Sequence, residues 1–394
     1  MAETFDVVIV GGAVMGSSVA YHLAADPQFT GRILVLEKDP SYARAATALS
    51  VSSIRQQFSS AINIEISLYG IRFLRQAGDL LAVGAHRPSV ALCEAGYLFL
   101  ATAAGERTLR DNHRLQTTLG ADIVWHDAAA LQARFPWLAV EGLAAGTWGR
   151  SGEGWFDGWS LMQAFKATAR ELGAEFRVGE VTGLVRRGAK ITEVALADGG
   201  RIASGAVVNC AGRGGAAIAR MAGVDIPVSA KKRMVFTFKA EDRLAGFPLL
   251  IDPSGVYVRP EGPGFLAGVA PPPDADADAG DEDFEVDHTL FEDRIWPVLA
   301  ARVPAFERIK PGRAWACHYD MNTFDHNAII GAADEPSNFY LCNGFSGHGL
   351  QQSPAVGRGL AELIAHGRYR SLDLTPLGFD RLAAGRPLIE NNVV

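Results

Sequence analysis

The run Phe5-Asp6-Val7-Val8-Ile9-Val10 leads straight into Gly11-Gly12-Ala13-Val14-Met15-Gly16, and no other stretch restricts the fold as strongly. Its β-branched apolar side chains predict a buried strand. The glycines predict a tight turn opening a helix over about Ser17–Ala25, and a second apolar run, Arg32–Leu36, closes at Glu37. Strand, turn, helix, strand, acid is the order of a dinucleotide site. Backbone N–H groups at the helix N-terminus face a pyrophosphate, and an acid about 20 residues beyond the turn accepts from a ribose hydroxyl. Ala13 stands where the usual G-x-G-x-x-G spacing has its second glycine, so the phosphates must lie slightly farther from the backbone. A βαβ unit with a glycine turn and no ligand is the alternative.

A chain of 394 residues is too long for one simple core, so two domains are expected. Apolar residues make up 48% and charged ones 21%, as in an ordinary globular protein. The net charge of −7 argues against nucleic acid or an anionic membrane surface as partner. No apolar run reaches the roughly 20 residues of a transmembrane segment, and the first strand leaves no room for a targeting peptide before it. Cys93, Cys210, Cys317 and Cys342 show no metal or disulfide spacing, which fits a cytoplasmic location.

Along the chain, helices are expected at Ala61–Ala77, Ala104–Leu119 and Ser160–Leu172. Strands are expected within Pro88–Ala101 and at Glu175–Val178, Val181–Arg186, Lys190–Leu196 and Ala206–Asn209. The apolar run ending in Cys210-Ala211-Gly212 is expected beside the first strand. The acidic stretch Pro271–Asp287 reads as a solvated loop; it lacks the glycine and closing glutamate of a calcium loop, so no metal is expected. Near the C-terminus a strand, Asn338–Cys342, enters Asn343-Gly344-Phe345-Ser346-Gly347-His348-Gly349 and then a helix from about Pro354 to His366. Two glycine loops at helix N-termini suggest a long cofactor, with pyrophosphate at one loop and an electron-rich ring at the other. A flavin fits better than a nicotinamide.

Gly11–Gly16 with Glu37, Thr47-Ala48-Leu49-Ser50 leading to Ile54-Arg55-Gln56-Gln57-Phe58-Ser59, and Gly344–Gly349 resemble the FAD-dependent oxidoreductases of the D-amino-acid oxidase and sarcosine oxidase superfamily. The resemblance covers essentially the whole chain. It implies an α/β, two-domain fold: a Rossmann-like FAD-binding domain in pieces (1–90, 150–225, 318–394) and a substrate domain with a large antiparallel sheet (91–149, 226–317). It implies hydride transfer from the C–N carbon of an amine or amino acid to flavin N5, followed by hydrolysis of the imine. It also implies cofactor contacts from Gly11, Gly12, Ala13, Val14, Met15, Gly16, Glu37, Lys38, Ala46, Thr47, Ser52, Ser53, Val181, Ala211, Gly212, Gly344, Phe345, Gly347, His348, Gly349 and Gln351.

Within that frame Arg55 takes the substrate carboxylate, a task suited to a bidentate guanidinium. Tyr257 matches the active-site tyrosine by position, and His348 adds charge near the flavin. Gln351 stands where sarcosine oxidases have a carboxylate-binding lysine, so selectivity for N-methylglycine does not carry over. Phe265-Leu266-Ala267-Gly268 has no lysine for oxygen activation, which leaves oxygen and another redox carrier both open as acceptor. Ser52 replaces the basic residue of the flavin-facing loop. Cys317-His318-Tyr319 matches the Cys-x-Tyr stretch through which monomeric sarcosine oxidases bind the flavin covalently. A buried free thiol is the alternative role, and His318 is the candidate base for the covalent one. Two other readings stay open: a flavoprotein that mainly binds or assembles with another protein, and a D-amino-acid dehydrogenase. An NAD-dependent dehydrogenase leaves the C-terminal glycine loop unexplained.

Overall fold

The computed structural model describes residues 3–242 and 244–391, so positions 1–2 and 392–394 of the expected flavin-binding segments lie outside it. The opening pattern folds as β1 (Glu3–Val10), α1 (Val14–Ala24) and β2 (Ile33–Glu37). Five parallel strands lie in the order Glu175–Val178, β2, β1, Arg201–Asn209, Phe339–Asn343. Ile329–Ala332 adds an antiparallel edge beyond Phe339–Asn343, and the hairpin Val181–Arg187/Lys190–Leu196 extends Arg201–Asn209. Strands covered on both faces need continuous apolar runs, and Val7–Val10 and Ile33–Leu36 supply them.

The run ending in Cys210 does lie beside β1, with Val10 opposite Asn209 and Cys210 N–H donating to the Val10 carbonyl at 2.8 Å. Helix α1 is buried from Val14 to Leu23 because the helices Gly158–Glu171 and Gly349–His366 pack against it. Contact with the second is close: Ser18 Oγ donates to the Ser353 carbonyl at 2.7 Å, and a methyl at Gly357 would collide with Ser18.

The second sheet runs Ile309–Asn322, Val228–Ala240, Gly264–Gly268, Tyr257–Glu261, Leu249–Ile251, Tyr97–Ala101, Ala145–Gly149, Ile123–Asp127. It is antiparallel except where Leu249–Ile251 lies parallel to Tyr97–Ala101, joining two distant parts of the chain. Phe238, Phe247, Phe265 and Phe306 pack on one face, with Phe238 and Phe306 edge to face at 5.1 Å. Each such ring stabilises the fold by about 1.5–3 kcal/mol relative to exposure.

Several boundaries differ from the sequence expectations. Only Tyr97–Ala101 of Pro88–Ala101 is a regular strand; Pro88 lacks a donor, and the part before Tyr97 is held by an isolated bridge between Cys93 and Trp155. The last long helix starts at Gly349, not near Pro354. Pro354 has no N–H for the Leu350 carbonyl, and Ser353 Oγ donates there at 2.9 Å instead. The expected domain boundary at 317/318 falls inside one strand, Ile309–Asn322, which pairs with Val228–Ala240 nearly from end to end.

The acidic stretch is a largely exposed loop, as expected, and it is tethered at four points. Asp276 receives Arg233 through two 2.8 Å bonds, Asp278 pairs with Lys231, Asp283 with Lys232 and Asp281 with Arg213. Lys231, Lys232 and Arg233 are consecutive on one strand, so the acidic segment follows a row of cations that sequence proximity does not reveal.

Candidate active site

The dinucleotide turn is assembled as its sequence requires. Gly11 has φ +97°, a conformation glycine adopts without strain, and packs against the Cys210 carbonyl. A side chain at Gly16 would collide with the Gly11 carbonyl, so α1 approaches the turn as closely as backbone allows. Glu37 accepts from Gly12 N–H at 2.9 Å and from Asp39 N–H at 2.9 Å, which fixes its carboxylate at the mouth of the turn. Ala13 is the N-cap of α1 and offers no side-chain acceptor. The first N–H groups of the helix are thereby left to an anion, apart from Val14 N–H, which reaches Thr47 Oγ1 at 3.4 Å.

Met15 is buried within α1, and Lys38 is exposed just beyond Glu37. Ala46 and Thr47 open the short helix Ala46–Leu49. Ser52 has φ +53°, and Ser53 begins a two-residue strand paired with Gly154–Trp155. Ala211 and Gly212 follow Cys210 beside Gly11, whereas Val181 packs with Leu36 and Leu184 in the core under the sheet.

The second glycine loop is partly satisfied by the protein itself. Asp320 Oδ2 accepts from Gly344 N–H at 2.9 Å and Phe345 N–H at 3.2 Å; the Asp320 carbonyl accepts from Ser346 N–H at 3.0 Å. The His348 N–H turns back to Phe345. The donors left for a cofactor are therefore Gly347 and the first turn of Gly349–His366, a narrower set than the whole loop. Burial pushes the Asp320 carboxyl up to about 6 against the pull of those N–H bonds.

Arg55, Gln351, His348 and Tyr257 come together around one cavity of about 60 Å³. Arg55 is 3% exposed, which removes the reading of a solvent-facing arginine. Its Nη1 donates to the Gln57 carbonyl at 3.1 Å and its Nη2 lies 3.0 Å from His348 Nε2, while the Phe58 ring covers the guanidinium at 4.3 Å. The Arg55 N–H donates to Gln351 Oε1 at 2.9 Å, so Gln351 positions the arginine's backbone. Burial, then the Arg55 charge, holds the His348 ring down to about 3. Burial beside the Arg55 guanidinium disfavours the imidazolium, against the expectation that His348 adds charge.

Three phenols close the cavity: Tyr97, Tyr257 and Tyr319. Burial pushes Tyr97 up to about 12 and raises the other two, so all three are neutral donors at physiological pH. Glycines make their room. A methyl at Gly268 would meet the Tyr257 hydroxyl, and one at Gly347, where φ is +92°, would meet the Tyr319 ring. Tyr97 was not marked by sequence pattern, and Tyr319 only as a neighbour of Cys317.

Cys317 is 2% exposed, and burial pushes its thiol up to about 12. His318 does not serve as its base. Neighbours on a strand point to opposite faces, and the His318 ring stacks on Phe284 at 4.3 Å with Nε2 2.6 Å from the Asp283 carbonyl.

Beneath Arg55 lies a carboxylate that sequence reasoning missed. Glu153, fully buried, accepts from Gln56 N–H at 2.5 Å, Gln57 N–H at 3.1 Å and Gln57 Nε2 at 2.8 Å. Thr147 Oγ1 donates to Gln57 Oε1 at 2.6 Å, completing a brace under the arginine's segment. Desolvation raises Glu153 to about 7, although the donors oppose it. Its one sequence signal is an acid set between glycines, Gly152-Glu153-Gly154. Glu390 plays a parallel part at the helix Ala61–Arg75, accepting from Ser59 N–H at 2.6 Å and Ser60 Oγ at 3.0 Å. Among the described residues no group of three or more metal-ligating side chains occurs, and no helix is long and apolar enough to cross a membrane.

A two-sheet fold with a dinucleotide turn, and an arginine- and tyrosine-lined cavity beside the second glycine loop, is that of a flavin-dependent oxidoreductase, and the chain belongs to the FAD dependent oxidoreductase family, which matches residues 6–363. It is 38% identical over 430 residues to FAD-dependent oxidoreductase domain-containing protein 1 of Xenopus laevis, covering 100% of this chain and 85% of that protein. Among solved structures it superposes on L-proline dehydrogenase from P. horikoshii with a TM-score of 0.85 at 24% identity, covering 98% of this chain and 100% of that one. Glycine oxidase from Geobacillus kaustophilus gives 0.81 at 21% identity, covering 95% and 98%.

The family is FAD-dependent, and the residues present fit that cofactor: an uncapped helix start at Ala13, the Glu37 carboxylate at Gly12, and a second helix start at Gly349.

Proposed function

We propose that this chain oxidises the C–N bond of an amino acid or N-substituted amino acid, releasing an imine that water hydrolyses. The observation that carries this reading is the Arg55 guanidinium, buried in a cavity lined otherwise by phenols, an imidazole, a carboxamide, two serines and apolar groups, with no acidic side chain in the lining. A cation in such a place is matched by a substrate carboxylate, to which it can donate two parallel bonds. Bound FAD supplies the hydride acceptor.

The protein's share of the work is positional. Arg55 anchors the carboxylate, and its partners Gln57, His348 and Gln351 fix the direction from which it does so. Tyr257 and Tyr319 bound the space for the amine and exclude water. Among the cavity side chains no general base is poised near neutrality, because the phenols are raised and the imidazole is lowered. The amine must therefore arrive unprotonated, and turnover should rise with pH as the substrate ammonium deprotonates. Names of structural neighbours, a proline dehydrogenase and a glycine oxidase, agree with a small amino-acid substrate. The strand Gly264–Gly268 is buried and carries no basic side chain, which favours a redox carrier over oxygen as the acceptor.

The test is anaerobic mixing of the FAD-loaded protein with amino acids and their N-alkyl derivatives while flavin absorbance is followed. Bleaching by members of either set supports the reading, and reoxidation by air with peroxide release would make the enzyme an oxidase. No bleaching by any carboxylate-bearing amine would overturn it.

A further inference from the structure

The larger space near the site is not at Arg55. A second cavity of about 330 Å³ adjoins the first, several times its volume. Tyr319 lines both, and they meet at the loop corner where Ser346 faces one and Gly347 the other. The second cavity is bounded by Pro271–Pro273, Ser254 and Met321, together with Arg233 and Arg294; no acidic side chain lines it. Its two cations differ in state. Arg233 is committed to Asp276 by two bonds and lies over the Tyr319 ring at 5.4 Å. Arg294, on the Phe291–Ile295 helical turn, is exposed and has no carboxylate within ion-pair distance among the described residues.

We propose that this second cavity receives the far end of the substrate, and that this end is an anion. The substrate class is then an amino acid whose nitrogen carries an arm ending in a carboxylate: the α-carboxylate on Arg55, the amine beside Tyr257 and Tyr319, and the arm passing Tyr319 to Arg294. This rests on the amine-oxidising reading of the Arg55 cavity and narrows it. Space alone would admit any arm. The sign of the lining charge, with one guanidinium uncommitted, selects an anionic one.

The experiment compares two sets of N-substituted glycines on the FAD-loaded protein, with arms of equal length ending either in a methyl or in a carboxylate. The carboxylate-ended set should reduce the flavin with KM lower by about tenfold, the effect of one charge-assisted contact. Arg294→Gln should bring the ratio of the two KM values close to one, and Arg294→Lys should restore part of it. Equal KM values for the two sets, or a preference that survives Arg294→Gln, would overturn the proposal while leaving amine oxidation intact. Flavin reduction by neither set, together with none by unsubstituted amino acids, would overturn both.

Discussion

Arg55 Nη2 and His348 Nε2 lie 3.0 Å apart, and a guanidinium can only donate, so the imidazole accepts and carries its proton on Nδ1. One contact thus sets the tautomer of the ring and the direction of the arginine's fork. It joins the Ile54–Ser59 segment to the last glycine loop, so the substrate anchor and that loop are aligned with one another.

Replacing Arg55 by Lys keeps the charge and loses the fork. We expect kcat/KM for a carboxylate-bearing amine to fall about 100-fold, chiefly through KM, because a point charge cannot replace two parallel bonds. Stopped-flow flavin reduction at varied substrate concentration separates the binding loss from any change in the limiting rate. An unchanged KM would show that the carboxylate is held elsewhere.

Gly268 and Gly347 each leave room for a tyrosine. Gly268→Ala would set a methyl against the Tyr257 hydroxyl and within 2.9 Å of the Met234 carbonyl on the neighbouring strand, so it should lower both turnover and the thermal midpoint. Gly347→Ala must also bear a non-glycine residue at φ +92°, a strain of about 1–3 kcal/mol, and should lower both. Paired thermal melts and kinetics check both, and an unchanged midpoint and turnover in either variant would contradict the geometry.

Glu153 gives a pH prediction. Its carboxyl is raised in the folded state from an ordinary 4.5 to about 7, so the folded protein binds the proton more tightly than the unfolded chain. Its contribution is fully present below about pH 4.5 and is lost as pH rises through 7, a change of about 3 kcal/mol. Asp320 acts in the same sense, whereas His22 and His348, both held down to about 3, act in the opposite one. The difference between wild type and Glu153→Gln isolates the single group. Denaturant unfolding at pH 5 and pH 8 should show the wild type losing ground to the variant as pH rises, and a pH-independent difference would refute the assignment.

For Cys317 we expect a thiol rather than a thioether. Its burial and the turning away of His318 leave no base to form the thiolate that must attack the flavin. Acid precipitation should release the yellow colour to the supernatant, and Cys317→Ser should behave identically. Colour retained in the wild-type pellet and lost from that of the variant would establish the covalent bond instead.

The opening unit was legible because everything that specifies it is local: an apolar run, a glycine turn, and an acid at fixed spacing. Arg55, Tyr257, His348 and Gln351 were legible only through resemblance, since nothing in their spacing says that they share a cavity. Tyr97 carried no signal, and Glu153 only its place between two glycines. A buried carboxylate is stable only where backbone donors converge on it, and those of Gln56 and Gln57 arrive from another segment. The acidic stretch reads correctly as a surface loop, but its partners Lys231, Lys232 and Arg233 lie on a strand that local pattern does not connect to it. Local pattern reports what a segment can do, and pairing decides what it does.

The wall behind Gly11 is the Cys210 carbonyl, and β1 finds one of its two neighbours only in Arg201–Asn209. During synthesis the phosphate-binding turn leaves the ribosome long before that wall. For that interval β1 presents an open edge able to pair with the wrong strand. Cofactor loading is therefore a late event in the life of the chain, arriving after the sheet has closed.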